Sequence, residues 1–122
     1  MSLLESILED AQTDSRRDPN FPHAPDGWTT AVARHLSKQE GLAITEEHWD
    51  VIRALQAYWV QHGAMGIHLR ELHDALDERF HYEGGIKYLY QLWPHGPVAQ
   101  GCRMAGLKAP ASATDKGFGS VA

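Results

Sequence analysis

The sharpest chemistry available to this 122-residue chain lies in its one thiol, Cys102. A single cysteine cannot close an intrachain disulfide, so it is either a small buried hydrophobe or a single reactive site. Reaction needs the thiolate, and an unperturbed cysteine has a pKa of about 8.5. Arg103 is adjacent, with His95 and Lys108 near in sequence, and positive charge there favours the thiolate. Two features oppose it. Cys102 falls late in its short helix, where the negative end of the dipole disfavours an anion. It also shares a helical face with Val98 and Ala105, which predicts burial.

The other chemistry-bearing residues are weaker candidates. Among eight histidines, His73, Asp77 and His81 recur every four residues and would share one face of a long enough helix. Zinc accepts such ligands, but a site needs three or four converging groups, and the sequence offers no fourth. His81 falls past the expected helix end, so the expectation is a solvated polar face and no metal. His35 falls on an apolar stripe and reads as a hydrogen-bonded core histidine. No nucleophile elbow, phosphate-binding glycine loop or dinucleotide fingerprint is present, so no cofactor is expected.

The elements that must position Cys102 read as helices throughout. Leu3, Leu4, Ile7, Leu8 and Ala11 follow helical spacing, with Glu5, Glu9 and Asp10 opposite. Residues 13–26 carry Pro19, Pro22 and Pro25 and read as a connecting loop. Asp26 is the expected N-cap of a helix running to about Gln39, with Trp28, Val32, His35 and Leu36 on one face. Thr45 caps the next, whose inward stripe is Trp49, Ile52, Leu55 and Trp59 and which Gly63 stops. A third runs from about Ile67 to Phe80, with Leu69, Leu72 and Leu76 inward. Gly84-Gly85 breaks the chain, and Ile86, Leu89, Tyr90 and Trp93 mark a short helix ended by Pro94. The four tryptophans read as core, while Tyr88 and Lys87 read as the exposed pair. Pro97 suits the first position of the Cys102 helix, and Gly106 the position just past its end. The expected fold is all-α, a small orthogonal helical bundle. Residues 1–25 form an N-terminal helix and linker, 26–106 the domain, and 107–122 a flexible C-terminal arm rich in Ala, Gly, Ser and Pro.

Composition narrows the function. With 43 % hydrophobic residues the chain is an ordinary globular domain. No apolar run approaches the roughly 20 residues of a membrane span. The acidic, amphipathic residues 1–12 are the wrong chemistry for a signal peptide, so the cytoplasm is the expected compartment. The helix pair either side of Gly63 could form a helix-turn-helix. Its would-be reading helix carries Arg70 and Arg79 against Glu71, Asp74, Asp77 and Glu78. With a formal charge of −5 overall, direct nucleic-acid binding is not expected.

Three stretches carry a family resemblance. They are Ile44-Thr45-Glu46-Glu47-His48-Trp49, then Gly85-Ile86-Lys87-Tyr88-Leu89-Tyr90-Gln91-Leu92-Trp93-Pro94, and Gly96-Pro97 followed by Cys102-Arg103-Met104-Ala105-Gly106-Leu107. Together with Asp26-Gly27-Trp28, they make the region from 26 to 110 resemble the DsrC/TusE family of sulfur-relay proteins. The resemblance implies a helical domain with a flexible arm that carries sulfur as a cysteine persulfide. In TusE-like members the sulfur moves towards thiolation of a tRNA wobble uridine. In DsrC-like members the arm works with dissimilatory sulfite reductase. The family's main carrier cysteine lies eleven positions beyond the helix cysteine, and Ala113 stands there in this chain. Cys102 matches the second cysteine, which DsrC-like members have and TusE-like members lack. The arm also continues to Ala122, past where family arms stop, and no counterpart of the family's opening β-hairpin precedes Asp26.

The resemblance therefore implies a sulfurtransferase-like carrier with sulfur-relay or sulfite-reductase-like protein partners. Persulfide or mixed-disulfide chemistry would fall at Cys102, with Arg103 as its electrostatic aid. The alternative is a non-catalytic regulatory or adaptor member that binds relay partners without carrying sulfur.

Overall fold

The computed structural model describes residues 18–63 and 66–110. The expected helix at residues 3–11 and residues 111–122 of the expected 107–122 arm lie outside them. Among the described residues there are five α-helices and no strand: α1 (Thr30–Gln39), α2 (Glu46–His62), α3 (Leu69–Arg79), α4 (Gly85–Leu92) and α5 (Ala99–Ala105). A 3₁₀ turn, His81–Glu83, links α3 to α4. The molecule is a small helical bundle in which α5 packs against α2 and α1, and α3 packs against α4.

Helix α1 opens later than expected. Its N-cap is Thr29, whose hydroxyl accepts the Val32 N–H at 3.2 Å. Asp26 is instead in a turn closed by the Trp28 N–H on the Pro25 carbonyl, 3.1 Å, which drives the Trp28 indole inward. Trp28 therefore lies ahead of the helix and does not set its buried face. That face is Ala33 and Ser37 with half-buried Leu36; Val32 and His35 are exposed, so His35 is no core histidine. The proline-rich loop also joins the core. Phe21 meets Trp28 and Trp49 edge-on, with centroids 5.1 and 5.6 Å away.

Helix α2 runs between Thr45 and Gly63, the two ends read from sequence. It is packed on more than one side, so Val51, His48 and Gln56 are buried as well as Trp49, Ile52 and Leu55, while Trp59 is only half-buried. Helix α3 begins at Leu69, with His68 as N-cap, and buries Leu72 and Leu76. Glycine is required at 85. Its backbone φ is +65°, and a Cβ there would collide with the Asp77 carboxylate, which accepts the Ile86 N–H at 2.7 Å and so satisfies the start of α4. The exposed tyrosine is Tyr82 in the 3₁₀ turn, at 97 %, whereas Tyr88 is half-buried against Phe80; Lys87 is exposed.

His48 joins α2 to the end of α4. Its Nε2 donates to the Leu92 carbonyl at 2.8 Å, and Nδ1 accepts the Thr45 N–H at 3.0 Å. This is the return arm of a capping box with histidine in the usual Glu/Gln position. The Trp93 ring stands edge-on to the imidazole, 4.8 Å away. Both nitrogens are satisfied only in the neutral ring, and burial lowers the pKa below its ordinary 6.5, against opposing pulls from the Leu92 carbonyl and Glu47.

A histidine lowered on folding stabilises fully above its unfolded pKa. As pH falls below about 6.5 the unfolded chain binds the proton first, and that stability is lost. The urea midpoint of the wild type should therefore fall more steeply between pH 7.5 and 5 than that of His48→Gln, which keeps the capping geometry without titrating. Parallel slopes would rule out this role for His48.

Candidate functional site

The candidate site is α5, which carries Cys102, and its length explains its surroundings. A seven-residue helix is unstable alone, so docking must hold it. Its sequence supplies small residues for a close fit. At Gly101 a Cβ would lie 2.8 Å from the Leu55 side chain, so α5 sits tight on α2 at the residue before the cysteine. Regular helix begins at Ala99, two residues after Pro97, although the Gln100 N–H already bonds the Gly96 carbonyl at 2.9 Å. The end is where the sequence placed it. Gly106 adopts the left-handed conformation, the Leu107 N–H bonds the Cys102 carbonyl at 2.8 Å, and the Gly106 N–H bonds that of Arg103 at 3.3 Å. This pair is a Schellman motif. Only glycine suits position 106, because a Cβ would sit 2.7 Å from the Trp28 ring.

Two buried side chains complete the end of α5. Trp28 Nε1 donates to the Met104 carbonyl at 2.7 Å, and Gln56 Nε2 to the Ala105 carbonyl at 3.0 Å. These are carbonyls that a helix cannot satisfy internally. The other flank is held by Glu40, which closes α1. Its carboxylate accepts Arg103 Nε at 3.0 Å, Arg103 Nη2 at 2.8 Å and Gln100 Nε2 at 3.1 Å. A carboxylate at a helix C-terminus opposes the dipole, and the forked guanidinium offsets that. Gln100 Oε1 in turn accepts the His95 N–H at 3.1 Å, fixing the loop before α5.

Cys102 lies at the middle of this helix rather than late in it. It is fully buried with Val98 and Ala105, as their shared face required. Burial pushes the thiol up to about 12, with Arg103 pulling the other way. At neutral pH the thiol is then held protonated. Arg103 is thus the nearby cation whose charge reaches the thiol, but its fork is committed to Glu40. Neither Glu40 nor Gln100 was singled out from sequence. Their partners are 63 and 60 residues away, beyond any local spacing rule.

The histidine series does not converge. His73 stands beside Tyr90, with centroids 6.0 Å apart; Asp77 caps α4; His81 is exposed in the 3₁₀ turn. Among the described residues no group of three or more His, Cys, Asp or Glu side chains is placed to hold a metal ion. Within the same residues no helix is long and apolar enough to cross a membrane.

With this geometry in place, known proteins give a consistent comparison. Residues 10–113 match the family described as DsrC like protein. The matched span ends at Ala113. Proteins named sulfurtransferase TusE are similar: that of Yersinia pseudotuberculosis is 37 % identical over 84 residues, covering 68 % of this chain and 77 % of the relative. That of Salmonella typhimurium is 33 % identical over 84 residues, covering 68 % of this chain and 76 % of the relative. The NMR structure of Allochromatium vinosum DsrC superposes with a TM-score of 0.61 at 35 % identity, covering 80 % of this chain and 87 % of that one.

The Glu40 clamp has a measurable consequence. Charged hydrogen bonds of this partly exposed kind are worth about 1–2 kcal/mol together, so their loss should raise the open population of α5 roughly tenfold. Glu40→Ala, which leaves Arg103 beside the thiol, is expected to react about tenfold faster with a disulfide reagent at pH 7.5. A wild-type rate in a folded variant would mean that Glu40 does not hold the thiol shut.

Proposed function

Since this chain belongs to the DsrC-like family and works in sulfur relay alongside other proteins, we propose that the sulfur it handles is carried on Cys102. The observation that carries the reading is the family match over residues 10–113. Within that match Cys102 is the one sulfhydryl, because Ala113 occupies the arm position. The chemistry is exchange without net oxidation. The Cys102 thiolate attacks the terminal sulfur of a partner's cysteine persulfide, the donor S–S bond breaks, and the donor leaves as its thiolate. Cys102 is then the persulfide, and the reverse attack by an acceptor thiolate unloads it.

Shielding of the thiol gives the proposal a specific form. The closed state protects sulfur chemistry from solvent, and loading proceeds from a state in which α5 has lifted off Glu40, Trp28 and Gln56. A partner that stabilises the lifted helix both exposes the thiol and removes the burial that raises its pKa. Arg103, once released from Glu40, then favours the thiolate, so its electrostatic part belongs to the open state.

Intact-mass spectrometry after incubation with a cysteine desulfurase and free cysteine tests this. The expected result is a reducible gain of one or more sulfur atoms in the wild type, absent from Cys102→Ser and faster in Glu40→Ala. An unmodified mass, with the donor active on a two-cysteine relative, would overturn Cys102 as carrier.

A further inference from the structure

Trp93 lies between His48 and the helix that carries the thiol. It is fully buried, and its N–H closes α4 on the Leu89 carbonyl at 2.9 Å. Its own carbonyl takes the Gly96 N–H at 2.8 Å as the chain turns towards α5. A Cβ at Gly101, the residue before Cys102, would lie 3.9 Å from Trp93 Cε2, so the indole lies along α5. The same indole stands edge-on to the His48 ring, whose Nε2 holds the Leu92 carbonyl at the end of α4. His48, Trp93 and α5 thus form a continuous packed series.

The hydrogen bonds at one end of that series tolerate only the neutral imidazole. A second ring proton falls on Nδ1, at which the Thr45 N–H points from 3.0 Å, so two donors face each other. The Thr45 hydroxyl, 2.9 Å from Nδ1, can take the new proton, but the Thr45 N–H then loses its acceptor at the start of α2. The charge also forms at the third residue of α2, beside the positive end of the helix dipole. On α2 itself Glu46 and Glu47 share that first turn, and Glu47 draws the proton on. From α4 the ring meets the Leu92 carbonyl, with the neutral Tyr88 close to Glu47. Around α5 the titratable groups are Glu40, Arg103 and His95.

We propose that His48 controls access to Cys102 by its own protonation. With the ring neutral, the end of α4 and Trp93 are fixed and brace α5 on its inner side. With the ring protonated, Nδ1 releases the Thr45 N–H, and the imidazole shifts off the Leu92 carbonyl and the edge of Trp93. The indole no longer supports Gly101, α5 opens more often, and mild acid exposes the thiol. The sign follows from the packing. Burial holds the ring below its ordinary pKa, against the Leu92 carbonyl and Glu47. The closed state is therefore fully favoured above that ordinary value and loses ground as pH falls through it. Access is separate from loading, so this control operates whether or not Cys102 carries sulfur.

Thiol protection in the full-length chain tests this without any sulfur donor. Protection is the rate at which a pyridyl disulfide labels Cys102 in the urea-unfolded chain, divided by the native rate at the same pH. That ratio removes the reagent's and the thiol's own pH dependence. Between pH 7.5 and 5.5, where carboxylates ordinarily stay ionised, protection should fall at least about threefold in the wild type and less than about 1.5-fold in His48→Gln. At pH 7.5 it should also be at least about tenfold below the hydrogen-exchange protection of the buried α3 residues Leu72 and Leu76, which marks a local opening. Equal losses in both proteins, or no loss in the wild type, would overturn the proposal. So would a loss abolished by His95→Gln, which moves the sensor to the loop before α5. Protection equal to that of Leu72 and Leu76 would mean that the thiol opens only with the whole fold, and would overturn it too. Should His48→Gln not fold, the wild type alone decides: the midpoint of its loss must match the His48 titration followed by NMR, and a mismatch sinks the idea.

Discussion

Everything around the thiol depends on satisfying the C-terminal carbonyls of α5 inside the protein. A seven-residue helix leaves most of its carbonyls without intrahelical partners, and burying them unpaired costs more than so short a helix recovers. Four groups solve the problem. Trp28 takes the Met104 carbonyl, Gln56 takes that of Ala105, and the turn at Gly106 takes those of Cys102 and Arg103. The loop before α1, the middle of α2 and the end of α5 are thereby joined at one spot. Phe21 reaches the same cluster through its edge-on contacts with Trp28 and Trp49, which explains why a proline-rich loop is part of the core.

The Glu40 clamp works differently. It is ionic and partly exposed, with 36 % of the Arg103 side chain open to solvent against 12 % for Glu40. Such an interaction weakens with salt and can be exchanged for water or for a partner's charges. Buried hydrogen bonds thus set the position of α5, and an exchangeable pair guards its outer flank. That division is what the proposed lifting of α5 would need: firm placement at rest and an outer flank that can be exchanged.

Local chemistry was legible in the sequence, and long-range chemistry was not. Thr45, Gly63 and Gly106 mark helix ends because the atoms that decide those ends lie within a few residues. Burial of Cys102 followed from the face it shares with Val98 and Ala105. His35 misled because the apolar stripe was drawn through Trp28, and the turn at Asp26 removes Trp28 from that helix. Tyr88 misled because helical spacing says nothing about Phe80, which partly covers it across the 3₁₀ turn. The burial of His48, Gln56 and Gln100 carries no periodic signal, since each has a partner on another element. The family resemblance drew attention to the Cys102 helix, and the packing around it had to come from the structure.

The Schellman turn also gives α5 a mechanical polarity. Its outermost bond runs from the Leu107 amide to the carbonyl of Cys102 itself, so the first peptide past the helix is laced to the thiol-bearing residue. Loss of that bond opens the terminal turn, and the helix then frays from Gly106 back towards the cysteine. The turn that ends α5 is therefore tied through a single backbone bond to residue 102, so the order of the helix end and the order of the cysteine backbone rise and fall together.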